Sequence, residues 1–204
     1  MKGSMKKLVV FVVIAIMATF LSVAMALAFD KYKNSGKDSK AIHGEYAATA
    51  FSSCIGTPYG FVPGTPIPNP PSTAVFNNTA TSKAIWTFNS DGTGEVETRS
   101  VGINFSMYAN SSDLLGQFTY EVTDDGMITI VWGTLVGTYL TGPAPGATYT
   151  VSGMVPEEGY VSSDHKTITL GSVTTGVITL TIQGLLYPLY AICNYSRVLI
   201  RVGN

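Results

Sequence analysis

The chain has 204 residues and a mass of 21.6 kDa, enough for one well-cored domain with a short appendage. Charged residues make up only 12% of it, while 21 Gly, 11 Tyr and abundant Thr and Val mark a β-rich composition, which excludes a long-helix protein and a charged disordered one. Three of the basic residues, Lys2, Lys6 and Lys7, stand at the start, so the body from Phe29 onward is net acidic by about four charges. It has no basic stripe to hold a phosphate backbone, so nucleic acid is not an expected partner.

After the lysines, residues 8–28 carry no charge and end in Ala26-Leu27-Ala28 ahead of Phe29-Asp30. A positive start, an apolar stretch and a small-residue site read as a secretory signal peptide over residues 1–28, cut after Ala28. A retained anchor is the alternative, since 21 uncharged residues just span a bilayer. Thr19, Ser22 and the small residues at the end favour cleavage. Export to the periplasm or the medium is therefore expected, with membrane contact only through this segment. Residues 29–42, lysine-rich and without an apolar period, read as a flexible leader, and residues 43–204 as one β-barrel domain.

From His43 to Cys54, Tyr46, Ala48, Ala50 and Ser52 alternate with Glu45, Ala47, Thr49 and Phe51, the period of a strand. Residues 56–82 carry Pro58, Pro63, Pro66, Pro68, Pro70 and Pro71, too many for a central strand, and read as a long ordered loop or lid. Ala84 to Phe88 and Glu95 to Phe105 flank Asp91-Gly92, and Gln117 to Val122 and Met127 to Leu135 flank Asp125-Gly126, two hairpin signals. Further runs follow over 148–154, 160–161, 167–170, 177–182 and 190–202, separated by turn residues. The pattern predicts an all-β domain, a single antiparallel up-and-down barrel of eight or nine strands with a long Pro-rich loop.

Cys54 and Cys193 are the only cysteines. In an oxidising compartment one disulfide is the expected state, with two buried free thiols as the alternative. The bond would join the first and last strands, which are neighbours in a closed meander. A sandwich remains the alternative architecture.

Gly44-Glu45-Tyr46 at the start of the first strand, with Arg197 or Arg201 in the last, resembles the calycin arrangement, in which an arginine of the closing strand covers a Gly-x-Trp residue; here Tyr replaces Trp. The resemblance implies a cup-shaped barrel holding a small apolar ligand. Gly44-Glu45-Tyr46, the early Cys54, the hairpin from Trp86 to Gly94 and the turn Ser162-x-Asp164-x-Lys166-Thr167-Ile168 are also similar to uncharacterised exported proteins of proteobacteria, a likeness that carries no activity.

No HExxH, HxH or CxxC stands in the chain, so no metal site is expected, and no cofactor fingerprint or serine-hydrolase elbow is present. Asp124-Asp125 and Glu157-Glu158 are adjacent pairs beside turn glycines, which suits solvated turns better than shared acid–base work. No catalytic residue is assigned. Aromatic side chains clothe pockets for flat or aliphatic molecules, so the expected ligand-binding residues are Tyr46, Tyr120, Trp132 and Tyr149, with Arg99. The expected function is a non-catalytic binding protein for a small hydrophobic or amphipathic ligand. The alternatives are a barrel isomerase or cyclase and a structural module with a filled core.

Overall fold

The computed structural model describes residues 42–70, 74–104 and 109–203. The expected signal peptide and the leader as far as residue 41 lie outside the described residues. Ile42, assigned above to the leader, is fully buried in the core.

Eleven antiparallel strands form one sheet: β1 (Gly44–Thr57), β2 (Phe76–Phe88), β3 (Thr93–Asn104), β4 (Ala109–Val122), β5 (Met127–Trp132), β6 (Leu135–Thr141), β7 (Thr148–Ser152), β8 (Glu157–Val161), β9 (Thr167–Ser172), β10 (Val177–Ile182) and β11 (Leu189–Arg201). The six short strands combine end to end. β5 and β6 run along the two halves of β4, interrupted at Gly133-Thr134. β8 and β7 run along β5 and β6, interrupted at 153–156, and β9 and β10 run along β8 and β7, interrupted at 173–176. Both pair with β11, which closes the ring on β1. The ring is thus an eight-membered up-and-down meander in which three members are broken at the waist.

The breaks change the stagger. Extending each register around the ring, a path from β1 through β5, β8 and β9 returns to β1 ten residues on; through β6, β7 and β10 it returns twelve residues on. At a fixed number of strands a larger stagger tilts them further and widens the ring, so the β6, β7 and β10 half is the wider one. This is why the barrel is not a regular one.

The two ends differ in chemistry. At one end, three tight turns share a design: Gly92, Gly126 and His165 each occupy a left-handed conformation. In each turn an aspartate accepts from its own loop: Asp91 from the Thr93 amide, Asp125 from the Thr123 hydroxyl and Asp164 from the Lys166 amide. The Asp-Gly signals are therefore hairpins, as the sequence indicates. We call this the turn end. At the other, the loop end, stand the Pro-rich connection, the 142–147 connection and the 183–188 connection. The charged residues of the described chain lie in the turn half, at the waist or, as Lys83, Arg99 and Asp113, on the outer face just beyond it.

The Pro-rich connection is shorter than expected. β2 begins at Phe76 and pairs with β1 from Gly56↔Phe76 onward, so residues 76–82 are strand, not loop. The proline argument extends only to Pro71; the following Asn, Thr and Ala residues have no strong strand preference of their own and are ordered by pairing on both sides with β1 and β3. Within the connection, a bridge between Phe61 and Pro68 and a turn at Pro63-Gly64 make a small hairpin.

Candidate functional site

Inward-facing side chains alternate along each strand, and their size changes at the waist. In the turn half they are Tyr46 on β1, Trp86 and Phe88 on β2, Val96 on β3, and Phe118 and Tyr120 on β4, all buried. Their rings pack against one another, Phe88 edge to face with Tyr120 and Trp86 tilted against Phe118, with centroids 5.0 Å apart in each pair. This half is solid. Beyond the waist the same strands present Ala50 and Ser52, Ser82, Ala80 and Asn78, Thr98 and Ser100, and Ser112, with Gly102 at the inward position of β3. Small residues in the wider half leave a cavity of about 220 Å³.

The cavity has two unlike walls. On β1 to β4 hydroxyls and amides stand among Ala50, Phe76, Ala80 and Leu114: Ser100 and Ser112 hydroxyls lie 2.9 Å apart, and the Tyr149 hydroxyl, reaching over from β7, donates to Ser112 Oγ at 2.9 Å. Asn78 Oδ1 is buried with no hydrogen-bond partner, beside Asn110 Oδ1; the two stand 3.2 and 3.1 Å from where a Cβ on Gly102 would lie. The opposite wall, on β6, β7, β10 and β11, is aliphatic: Leu135, Val151, Ile178, Leu180, Leu189 and Ala191, with the Cys54–Cys193 disulfide at its edge. Gly137 on β6 has the Tyr149 ring lying directly over it, which turns the tyrosine hydroxyl toward Ser112.

The floor of the cavity is a buried ion pair. Arg197 of β11 donates through Nε and Nη2 to the Glu157 carboxylate of β8 at 2.7 and 2.9 Å, and Trp132 Nε1 donates to the same carboxylate at 3.2 Å. Glu157 is fully buried and the Arg197 side chain is 10% exposed. The guanidinium also lies 5.6, 5.5 and 5.0 Å from the rings of Trp86, Trp132 and Tyr195. Burial pushes the Tyr195 and Tyr139 hydroxyls up to about 12, and raises that of Tyr149.

Of the residues expected to bind ligand, Trp132 and Tyr149 line the cavity. Tyr46 and Tyr120 do not: they plug the turn half, donating to the carbonyls of His165 and Asn89 at 2.7 Å each. Arg99 points outward, paired with Asp113 at 2.7 and 2.8 Å. It lines a broad trough of about 1020 Å³ on the outer face of β1 to β4 and β11, where Lys83, Ile85, Glu97 and Ile200 are exposed to solvent. Arg201, not Arg197, is the register partner of Tyr46 and donates to the His43 carbonyl at 3.2 Å. No residue of 58–70 lines the cavity, so the described part of the Pro-rich connection is not its lid; Gly60 instead sits against Tyr190, whose neighbours Leu189 and Ala191 face inward. Sequence reasoning named Arg197 only as one of two candidate covering arginines and placed Glu157 in a solvated turn; it missed that they pair. The signal was present in β11, since Cys193, Tyr195 and Arg197 share one face once the disulfide fixes which face is inside.

The expected disulfide is formed: Cys54 and Cys193 stand directly opposite each other, Cα atoms 4.1 Å apart, consistent with an oxidising, exported environment. Among the described residues no group of three or more His, Cys, Asp or Glu is placed to hold a metal ion. No family model matches this chain, and neither a curated protein nor a solved structure matches it.

Proposed function

We propose that this protein is an exported, non-catalytic binding protein that holds a small hydrophobic or amphipathic molecule in the loop half of its barrel. The observation that carries the reading is the change of side-chain size at the waist. A barrel built only for stability has no use for a wider half lined with Ala, Ser and Gly, because unfilled volume costs roughly 24 cal/mol per Å³. The capacity suits a small guest: about 150 Å³ of apolar cavity holds benzene, and drug-sized ligands take about 300 Å³ or more. The apolar stretch after Lys7 and the disulfide support export to the periplasm or the medium.

The test is a titration of the oxidised protein with hexan-1-ol followed by methyl NMR. Saturable shifts at Ile178 and Leu180, lost in Ser100→Leu, support the reading. Shifts confined to exposed Leu186 and Ile67 contradict it. A second reading, a structural module, draws on the solid turn half; it expects Ser100→Leu to be as stable as the parent and nothing to bind.

A further inference from the structure

Resting on that reading, the geometry points to the chemical class of the guest: an uncharged amphipathic molecule with a short hydrocarbon body and an O–H or N–H donor, accepted in preference to its carboxylate counterpart. Three observations converge. The first is charge. Among the described residues the only ionised side chain lining the cavity is Arg197, and its charge is matched by Glu157 through two hydrogen bonds. A guest carboxylate would bring an unmatched charge into a desolvated space, and an unpaired buried charge is among the most costly things a protein interior can hold. The loop end adds no steering, since its connections carry no charged residue.

The second is the unmet acceptor. Asn78 Oδ1 is buried without a partner, on the polar wall, next to Asn110 Oδ1 and close against Gly102. Buried polar atoms in native proteins are almost always satisfied, so this one is suited to a donor that arrives from within the cavity. The Ser100, Ser112 and Tyr149 chain stands on the same wall and, through its hydroxyl oxygens, accepts a second donor. The third is the facing wall, where Leu135, Val151, Ile178 and Leu180 offer no polar side-chain atom and bury a hydrocarbon body. A guest held across both walls is polar at one edge and apolar at the other.

The experiment compares three probes of one length, hexan-1-ol, hexane and hexanoate at pH 8, binding to the oxidised protein by the Ile178 and Leu180 methyl resonances. The expected result is saturable binding of the alcohol, with hexanoate weaker by at least about tenfold and hexane weaker than the alcohol. In Asn78→Leu the alcohol loses its advantage over hexane. Hexanoate binding as tightly as the alcohol overturns the proposal while leaving a binding lumen in place. A folded Asn78→Leu that keeps the full preference for the alcohol overturns the role of Asn78. Should the variant fail to fold, the order of the three probes on the parent protein decides alone. Absence of binding by all three overturns the binding-protein reading itself.

Discussion

Arg197 on β11 and Glu157 on β8 meet over the intervening β9, 40 residues apart in sequence, and the guanidinium donates through Nε and Nη2 to both carboxylate oxygens. Removing one partner leaves the other charge buried, so Glu157→Gln or Arg197→Met is expected to lower stability by about 3 to 5 kcal/mol, whereas joint replacement by Leu and Met costs much less. Urea unfolding of the two single variants and the double variant measures this. Equal losses in all three contradict the pairing. The neighbouring tyrosines give a second test. Tyr139 and Tyr195 have hydroxyls held near 12 by burial, against 10.0 for an ordinary tyrosine. The fold binds these protons more tightly than the unfolded chain does. Their contribution is therefore fully present below pH 10 and is lost as pH rises toward 12. Ultraviolet titration of Tyr139→Phe and Tyr195→Phe is expected to reduce, by one tyrosine each, a late-ionising component to which buried Tyr120 also contributes.

At the scale of the strand, alternation tells which face a residue occupies and nothing about its height along the barrel. Tyr46 and Tyr149 both read as inward aromatics in the sequence, yet one plugs the turn half and the other lines the cavity, because the waist that divides them is set by where β5, β8 and β9 give way to β6, β7 and β10, which alternation along a single strand does not record. Arg99 was legible as outward, opposite Val96 and Thr98; the expectation that it serves the lumen fails for that reason. Glu157 was not legible, since an adjacent Glu-Glu beside Gly159 has the composition of a turn and its partner lies 40 residues on. The breaks at Gly133, Gly153 and Gly176 divide ring members that are continuous in space, so the eight or nine strands expected from the sequence are eleven in the structure, arranged as a ring of eight. The filled and unfilled halves are expected to differ in local stability. Amides of β6, β7 and β10 should exchange with solvent at least about tenfold faster than those of β5, β8 and β9. Uniform protection across both halves would mean that the cavity does not weaken its walls.

For the whole molecule, closure is the dominant constraint. β1 pairs with β11 from Tyr46 to Thr57, leaving neither as an exposed edge, and the disulfide locks that seam between residues 139 apart in sequence. In the chain-entropy account a cross-link of that span is worth about 4 to 5 kcal/mol, chiefly by restricting the unfolded chain. Joint Cys54→Ala and Cys193→Ala replacement is expected to lower stability by roughly that amount and to steepen the denaturant dependence, because the unlinked unfolded chain exposes more surface. An unchanged midpoint in urea contradicts this.

The absence of charge from the loop-end connections and the small inner residues of the loop half are two aspects of one asymmetry, a sealed end and a receptive one. The most direct test is a crystal structure of the oxidised protein soaked in hexan-1-ol. The account predicts density for the alcohol inside the loop half, its oxygen within about 3 Å of Asn78 Oδ1 or Ser112 Oγ and its chain against Ile178 and Leu180. A loop half closed by Tyr139, Tyr149 and Met154 with no space for the alcohol, or density only on the outer face, would contradict it.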